Sequence, residues 1–462
     1  MNSIFDLVQL VASNVWVYGG TFILVLSVLV FVHEWGHYIV ARMCGVRVET
    51  FSIGFGKELF GWTDKKDTRW KVSLIPLGGY VKMFGDTDPA SAGHAEGVKE
   101  GEKIRPFTKA EKEVAFYTKP VSKRAAIVFA GPAINFIFAI ILLFGLYSFH
   151  GQPVTPPQAS AIIVGSAADK AGFEPHDKII SIDGEKVSRF EDIRRIVLVA
   201  LDTELEFLVE RGGEKIALNA TPEKQEMEDR FGFKHSRGML GIIGPSQGVA
   251  VDNIVEVNGL TVKDGDEARA ALMRNMGKPI RIEFDQGKET INALDVFLYE
   301  DKNEDLTDKM SLDYGVLIVA DGESEKILQH GPWNGFKASI EETFDITAST
   351  LKALGQIFTG TRSATELGGI IRIGAIAGDM AQAGFLALIT FTALLSINLG
   401  LINLFPIPML DGGHLVFYAV EALKGGPVSE KVQEYAFRFG FAVLIGIMLF
   451  ANVNDLVQLF MS

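Results

Sequence analysis

The chain has 462 residues, more than a single domain usually holds, and it combines 48% hydrophobic with 22% charged residues, which indicates separate lipid-facing and water-facing parts. A net charge of −13 argues against sequence-independent nucleic-acid binding, because that needs a basic surface, and the high apolar content excludes intrinsic disorder. The single cysteine, Cys44, excludes an intramolecular disulfide framework and any multi-cysteine metal site.

Four apolar stretches are long enough to cross a bilayer, which takes roughly 20 helical residues. We predict transmembrane helices at about 15–41, 125–147, 385–404 and 437–451. Residues 1–17 contain no lysine or arginine, so we expect the first stretch to remain as an anchor and not to be a cleaved signal peptide. The expected fold is therefore a multi-span α-helical membrane protein with four transmembrane helices.

Basic residues concentrate between the first and second spans and between the third and fourth. Because basic loops stay on the cytoplasmic side, we predict both termini and the large 150–384 segment on the opposite side. The acidic excess follows this division. Residues 151–330 carry 34 acidic and 21 basic side chains, whereas the rest of the chain carries 23 of each.

Between the first two spans, alternating and aromatic runs broken by glycine predict β-strands at 51–56 and 70–81. Their apolar character beside the first span favours a β-region at, or dipping into, the membrane interface. An ordinary cytoplasmic hairpin is the alternative.

Residues 161–210 predict a strand, a short helix, a strand with an Asp183-Gly184 turn, a helix and another strand. This order resembles a bacterial PDZ domain. A weaker second copy is predicted at about 238–320, where Asn258-Gly259 matches the turn and 264–274 the helix; it lacks the small-residue helix start of the first copy.

Apolar residues recur at helical spacing from Trp333 to Phe358 and predict an amphipathic helix. It lies either on the membrane surface or against the PDZ-like modules; both alternatives stay open. The predicted organisation is 1–47, the N-terminus and first span; 48–124, the β-region and loop; 125–150, the second span; 151–237 and 238–325, two extracytoplasmic PDZ-like α+β modules, the second degenerate; 326–384, the amphipathic segment; 385–416, the third span and following motif; and 417–462, a cytoplasmic loop, the fourth span and the C-terminus.

The main chemical signal is His33-Glu34-Trp35-Gly36-His37 inside the first span. Residues four apart share a helix face, so both imidazoles can bind one metal ion, and Glu34 can take a proton from a zinc-activated water. Ionisable residues within a membrane helix are costly and usually functional. The competing interpretation is a buried polar cluster between helices or a proton or ion path.

A catalytic zinc site needs three protein ligands, so two histidines are not enough. The candidates for the third ligand are Asp411, His414, Asp379 and Glu421. Asp411 is favoured because it follows the third span in a segment whose Pro406 and Pro408 prevent a continuous helix and can open the backbone to a substrate.

These motifs resemble the site-2 family of intramembrane metalloproteases, and the PDZ-like insert between the second and third spans is typical of its bacterial members. The resemblance extends to the segments 54–56, 131–135 and 424–430 and covers essentially the whole chain. It implies one Zn²⁺ per chain held by three residues, a catalytic base, and substrate-binding residues in and just after the third span. These are His33, His37 and Asp411 for zinc, Glu34 for catalysis, and Asn398, Asn403, Pro406 and Pro408 for substrate. Each asparagine alone is equally compatible with an interhelical hydrogen bond.

The resemblance further implies a location in the bacterial inner membrane, with both termini and the PDZ-like modules periplasmic. It implies regulated intramembrane proteolysis in a stress response, with a single-span anti-sigma factor already trimmed on its outer side as the substrate; remnant signal peptides are a second possibility. The β-region is expected to bind substrate by strand addition, and the modules to exclude untrimmed proteins. The partners are thus single-span membrane proteins and the lipid bilayer, and no nucleic acid.

Two other function classes compete with proteolysis. One is a non-catalytic membrane scaffold whose PDZ-like modules capture partner C-termini. The other is a metal or proton transporter, which predicts more intramembrane carboxylates and inverted repeats than the sequence shows.

Overall fold

The computed structural model describes residues 4–85, 97–100, 103–245, 247–250, 253–275, 278–284, 290–293, 296–298, 316–319 and 326–461. Within these residues the helices are α1 Ile4–Met43, α2 Lys109–Val114, α3 Val121–Phe149, α4 Ala167–Ala171, α5 Phe190–Leu198, α6 Gly265–Arg274, α7 Pro332–Thr359, α8 Ile370–Gln382, α9 Phe385–Asn403, α10 Asp411–Lys424 and α11 Glu430–Met461.

The strands of the described residues are short outside the first hairpin. They are β1 Val48–Thr63, β2 Arg69–Met83, β3 Gly97–Glu100, β4 Lys103–Pro106, β5 Gln152–Val154, β6 Ala161–Ile163, β7 Lys178–Ile182, β8 Glu185–Lys186, β9 Leu205–Arg211, β10 Glu214–Ala220, β11 Glu223–Glu228, β12 Lys234–Met239, β13 Ile242–Ile243, β14 Gln247–Ala250, β15 Ile254–Val257, β16 Leu260–Thr261, β17 Ile280–Phe284, β18 Thr290–Ala293, β19 Val296–Leu298, β20 Val316–Val319 and β21 Lys326–Leu328.

Among the described residues, four helices are long and apolar enough to cross a membrane, which confirms the predicted multi-span helical membrane protein. These spans are Trp16–Met43, Val121–Phe149, Phe385–Asn403 and Lys431–Phe460. The second and third agree with the predicted spans to within four residues. The fourth is twice as long as predicted, because the intrahelical backbone hydrogen bonds continue into the polar residues on both sides of the apolar stretch.

The second span, α3, is the centre of the membrane bundle and packs against α1, α7, α9 and α10. Glycines permit the closest approaches. A Cβ at Gly36 of α1 would clash with the Ala130 carbonyl of α3, and one at Gly400 of α9 would lie 3.0 Å from the Pro132 carbonyl. Without a hydrophobic driving force between helices in lipid, close packing of this kind is what holds such bundles together.

The hairpin β1–β2 confirms the two predicted strands after the first span. Residues 50–53 of β1 pair on one side with 69–72 and on the other with 79–82, so β2 folds back along both edges of β1. The far end of the hairpin exposes large apolar side chains, among them Leu59, Phe60 and Trp62. The predicted membrane-interface location of this end stays a prediction.

The first unit between the second and third spans follows the predicted order of strands and helices. A four-stranded antiparallel sheet in the order β10-β9-β7-β8 packs against α4 and α5 around a core of buried residues that includes Ile179, Phe207 and Val209. Its assignment as a PDZ fold stays a prediction.

The weaker second copy repeats this order as β15, β16, α6, β17 and β18. The two copies share one turn geometry. Asp183 and Asn258 both have positive φ, 49° and 48°, and each precedes a glycine. Each side-chain oxygen accepts a backbone N–H 23 residues ahead, from Glu206 and Arg281 respectively. Residues 299–315 and 320–325 of the predicted second module lie outside the described residues.

Strand pairing crosses the predicted boundary at 237/238. Strand β6, placed by sequence in the first module, pairs with β13 and β18 in a six-stranded sheet, in the order β13-β6-β18-β17-β15-β16. A three-residue strand carries no local signal for its partner, because pairing is decided by which sheet edges lie nearby in space.

The predicted amphipathic helix at 333–358 is confirmed as α7, which ends at Gly360 in the left-handed conformation. A second helix, α8, follows inside the predicted 326–384 segment and was not predicted separately. After α9 the chain stays irregular through Pro406 and Pro408 and re-enters a helix at Asp411.

Candidate metal centre

The two histidines of the first span share one face of α1, as their spacing predicts. Their Nε2 atoms lie 3.3 Å apart. Both side chains are largely buried: His33 is 12% exposed and His37 is 10% exposed.

Asp411, the first residue of α10, completes the cluster. Its Oδ2 lies 3.2 Å from Nε2 of His33 and 3.5 Å from Nε2 of His37. The preceding irregular segment makes this approach possible, because Met409 has a positive φ of 88° and turns the chain sharply before α10 begins. His33, His37 and Asp411 therefore form a group able to hold a metal ion.

The size of this triangle fits zinc. Bonds of about 2.0–2.1 Å from a tetrahedral zinc to imidazole nitrogen and carboxylate oxygen place neighbouring ligand atoms roughly 3.3–3.4 Å apart. The three separations of 3.2, 3.3 and 3.5 Å match that edge length. Three protein ligands leave a fourth position, which is the arrangement of catalytic zinc sites.

The other candidates for the third ligand lie differently. Asp379 pairs with Arg230 and also contacts Tyr18. Glu421 pairs with Arg124 at 2.6 Å. His414 lines the cavity of the cluster, and its ring lies 5.1 Å from that of Phe437.

Glu34 lies beside the cluster in a cavity of about 360 Å³. The folded-back part of β2 forms the opposite wall. Gly79, Tyr80 and Val81 line the cavity together with Glu34, and a Cβ at Gly79 would lie 3.1 Å from Cγ of Glu34. The hairpin thus reaches the residue predicted to act as the base.

The predicted substrate-binding residues separate into two groups. Asn403 lines the cavity with Glu34 and Asp411. Asn398 instead accepts a hydrogen bond of 3.2 Å from the Thr350 hydroxyl of α7. Pro406 and Pro408 are not among the described cavity-lining residues, and the Pro408 carbonyl packs closely against Gly440 of α11.

Helix α3 supplies contacts to the histidines that were not predicted from the sequence. His37 donates from Nδ1 to the Ile127 carbonyl at 2.9 Å, and the amide of Asn135 lies 3.0 Å from Nδ1 of His33. Between them, a Cβ at Gly131 would clash with the His37 ring. The sequence signal for these contacts is the pair Gly131 and Asn135, a small and a polar residue four positions apart within an apolar span.

Comparisons with known proteins agree with this geometry. The sequence profile of peptidase family M50 matches residues 21–447. A provisionally named zinc metalloprotease of Agrobacterium fabrum is 37% identical over 438 residues, which cover 95% of both chains. The regulator of sigma-E protease of Haemophilus influenzae and the regulator of sigma-E protease RseP of Salmonella typhimurium are each 35% identical, covering 95% of this chain and 98% of theirs.

Proposed function

Because this chain belongs to peptidase family M50, the site-2 family of intramembrane zinc metalloproteases, we propose that it cleaves peptide bonds within transmembrane segments of single-span membrane proteins. The family resemblance of its motifs is thereby confirmed, and zinc is the cofactor. The residue roles and the substrates are the proposed part.

The observation that carries the proposal is the His33, His37 and Asp411 triangle with a carboxylate beside it in one cavity. These three residues would hold the zinc ion. When bound, zinc polarises the scissile carbonyl and lowers the pKa of a water molecule. Glu34 accepts the proton of the attacking water at its carboxylate and later delivers it to the leaving amine.

Substrate handling is assigned to Asn403 and to the segment 79–83 of β2. Asn403 offers an amide to the backbone of an unwound substrate segment, since a regular helix shields its own carbonyls. Among the described residues, segment 79–83 pairs on one side only, with β1, which leaves a strand edge for an extended substrate near Glu34. Substrate roles for Asn398, Pro406 and Pro408 remain predictions.

The proposed natural substrate is an anti-sigma factor already trimmed on its outer side, with remnant signal peptides as a second class. The support is that relatives covering nearly the whole chain are named regulators of sigma-E. We place the protein in the bacterial inner membrane with the termini and the PDZ-like modules in the periplasm, where the modules exclude untrimmed proteins.

The test is Glu34→Gln in purified full-length protein with a single-span model substrate. General-base catalysis contributes about 10²–10⁴-fold, so cleavage should fall by at least 100-fold while one zinc per chain is retained. Glu434→Gln is the matched control, because Glu434 is 60% exposed in a surface pair with Arg438, and it should cleave normally. Undiminished cleavage by Glu34→Gln would overturn the proposed role of Glu34, whereas an absence of cleavage by the unmodified protein would favour the non-catalytic scaffold.

A further inference from the structure

We propose that Asn135 of α3 is a positioning residue for the zinc site: its amide oxygen accepts a hydrogen bond from Nδ1–H of His33 and so presents the bare Nε2 to the metal. The inference rests on the proposed ligand role of His33. It assigns a task to a polar side chain inside a transmembrane helix, where such side chains are costly.

The contact itself is close and fully enclosed. The Asn135 amide nitrogen Nδ2 lies 3.0 Å from Nδ1 of His33, and the whole residue is 0% exposed. Its Oδ1 is buried and has no hydrogen-bond partner among the described residues. A buried polar atom without a partner costs about 1–3 kcal/mol. Among the described residues the side-chain amide of Asn135 contacts Nδ1 of His33, so the tautomer of His33 decides whether the amide oxygen or the amide nitrogen faces that atom.

The chemistry of the cluster decides that orientation. Nε2 of His33 faces Asp411 and His37 and is therefore the nitrogen that would bind the metal. An imidazole nitrogen binds a metal only when it carries no proton. A neutral imidazole then carries its proton on Nδ1, which becomes a donor. Rotating the carboxamide by 180° exchanges Oδ1 and Nδ2 and places the acceptor at Nδ1, and no hydrogen bond of Oδ1 is broken in doing so.

The neighbouring histidine shows the same arrangement with a backbone acceptor. His37 donates from Nδ1 to the Ile127 carbonyl, which likewise leaves Nε2 for the metal. Ile127 and Asn135 are eight residues apart on α3, and His33 and His37 are four apart on α1, so one face of α3 supports both ligands. Partners of this kind fix ligand orientation and typically contribute 10–100-fold to metal affinity.

The backbone carbonyl of Asn135 also contacts a third helix. The Ser396 hydroxyl of α9 donates to the Asn135 backbone carbonyl at 2.8 Å, and Ser396 is also 0% exposed. This bond does not involve the side-chain amide, so Ser396→Ala disturbs the same packing site and leaves the proposed contact intact.

The experiment measures zinc affinity by chelator competition in full-length protein that also carries Glu34→Gln, so proteolysis plays no part in the readout. Asn135→Leu, similar in size but without an acceptor, should weaken zinc binding 10–100-fold. Asn135→Asp keeps an acceptor and cannot donate, so it should bind zinc at least as tightly as asparagine. Ser396→Ala should change the affinity by less than threefold.

Unchanged affinity in Asn135→Leu overturns the inference, as does an equal loss in Asn135→Asp and Asn135→Leu, because that pattern reports packing or a donating amide. His33→Ala is measured in parallel. If His33→Ala lowers zinc affinity and Asn135→Leu does not, only the inference fails. If His33→Ala leaves zinc binding unchanged, the proposed metal site fails.

Discussion

Gly131 lies where α3 passes close to two of the predicted zinc ligands, His33 and His37. A Cβ there would clash with the His37 imidazole and lie 2.9 Å from Cε1 of His33. We therefore expect Gly131→Ala to push the imidazoles out of position and to weaken zinc binding by at least tenfold. Overpacking of this kind costs about 1–3 kcal/mol in addition.

Zinc content after dialysis against a weak chelator and the thermal midpoint check this prediction. Gly145→Ala is the control on the same helix, since a Cβ at Gly145 meets nothing within 4 Å. Equal zinc retention by the two variants would contradict the prediction.

The two proposed histidine ligands could be recognised from the sequence, because a four-residue spacing on a helix fixes a shared face before any tertiary structure is known. The supporting contacts were not. Ile127 and Asn135 are about 90 and 102 residues from the histidines that they contact. The rotation and depth of α3 against α1 decide which of its residues meet the cluster, and those depend on packing at positions such as Gly36.

At the scale of elements, the helix that carries Asp411 is attached to α3 by a largely buried ion pair. Arg124 bonds to Glu421 at 2.6 Å, the two side chains are 9% and 14% exposed, and the guanidinium also lies over the Tyr418 ring. Removing one partner of a buried pair leaves an uncompensated charge and costs about 3–5 kcal/mol. Glu421→Ala should therefore lower the thermal midpoint markedly and loosen α10.

Glu434→Ala provides the comparison, because its pair with Arg438 on α11 is exposed and such pairs contribute about 0–1 kcal/mol. Unfolding followed by circular dichroism in detergent, with zinc present throughout, measures both. A midpoint for Glu421→Ala as high as for Glu434→Ala would show that the buried pair does not hold α10.

Elements differed in how well the sequence predicted them. The second and third spans and α7 were placed to within a few residues because their apolar patterns are long and periodic. Helix α2 was missed although Thr108 and Glu111 form a capping box that the sequence displays. The membership of β6 in a sheet with β13 and β18 was beyond local reasoning, since three residues can pair with any available edge.

At the scale of the whole molecule, residues 151–245 contact the helical bundle through ion pairs and hydrogen bonds. Arg230 pairs with Asp379 of α8, and the backbone N–H of Lys234 donates to Gln458 of α11. Arg189, at the start of α5, pairs with Glu342 of α7, which packs against α3. These contacts hold the first predicted module against the bundle, as the proposed size filter requires.

The ion pair between Arg189 and Glu342 is the contact whose loss should open the proposed size filter. Burial alone lowers the pKa of Arg189, but the Glu342 and Asp192 carboxylates more than reverse that effect, so the guanidinium is held in its charged form. Arg189→Met removes the charge and leaves Glu342, only 20% exposed, without its partner. If docking is weakened by about 1.4 kcal/mol, the ratio of undocked to docked molecules rises about tenfold.

The measurement is the ratio of cleavage rates for one single-span substrate with and without its folded outer domain. Arg189→Met should raise the rate for the untrimmed form several-fold and leave the trimmed form unchanged, because the contact lies outside the catalytic cavity. Lys337→Met is the matched control on α7, where the pair with Glu341 is exposed. A proportional change in both rates would place the effect in the active site, and no change in either would mean that this contact does not control access.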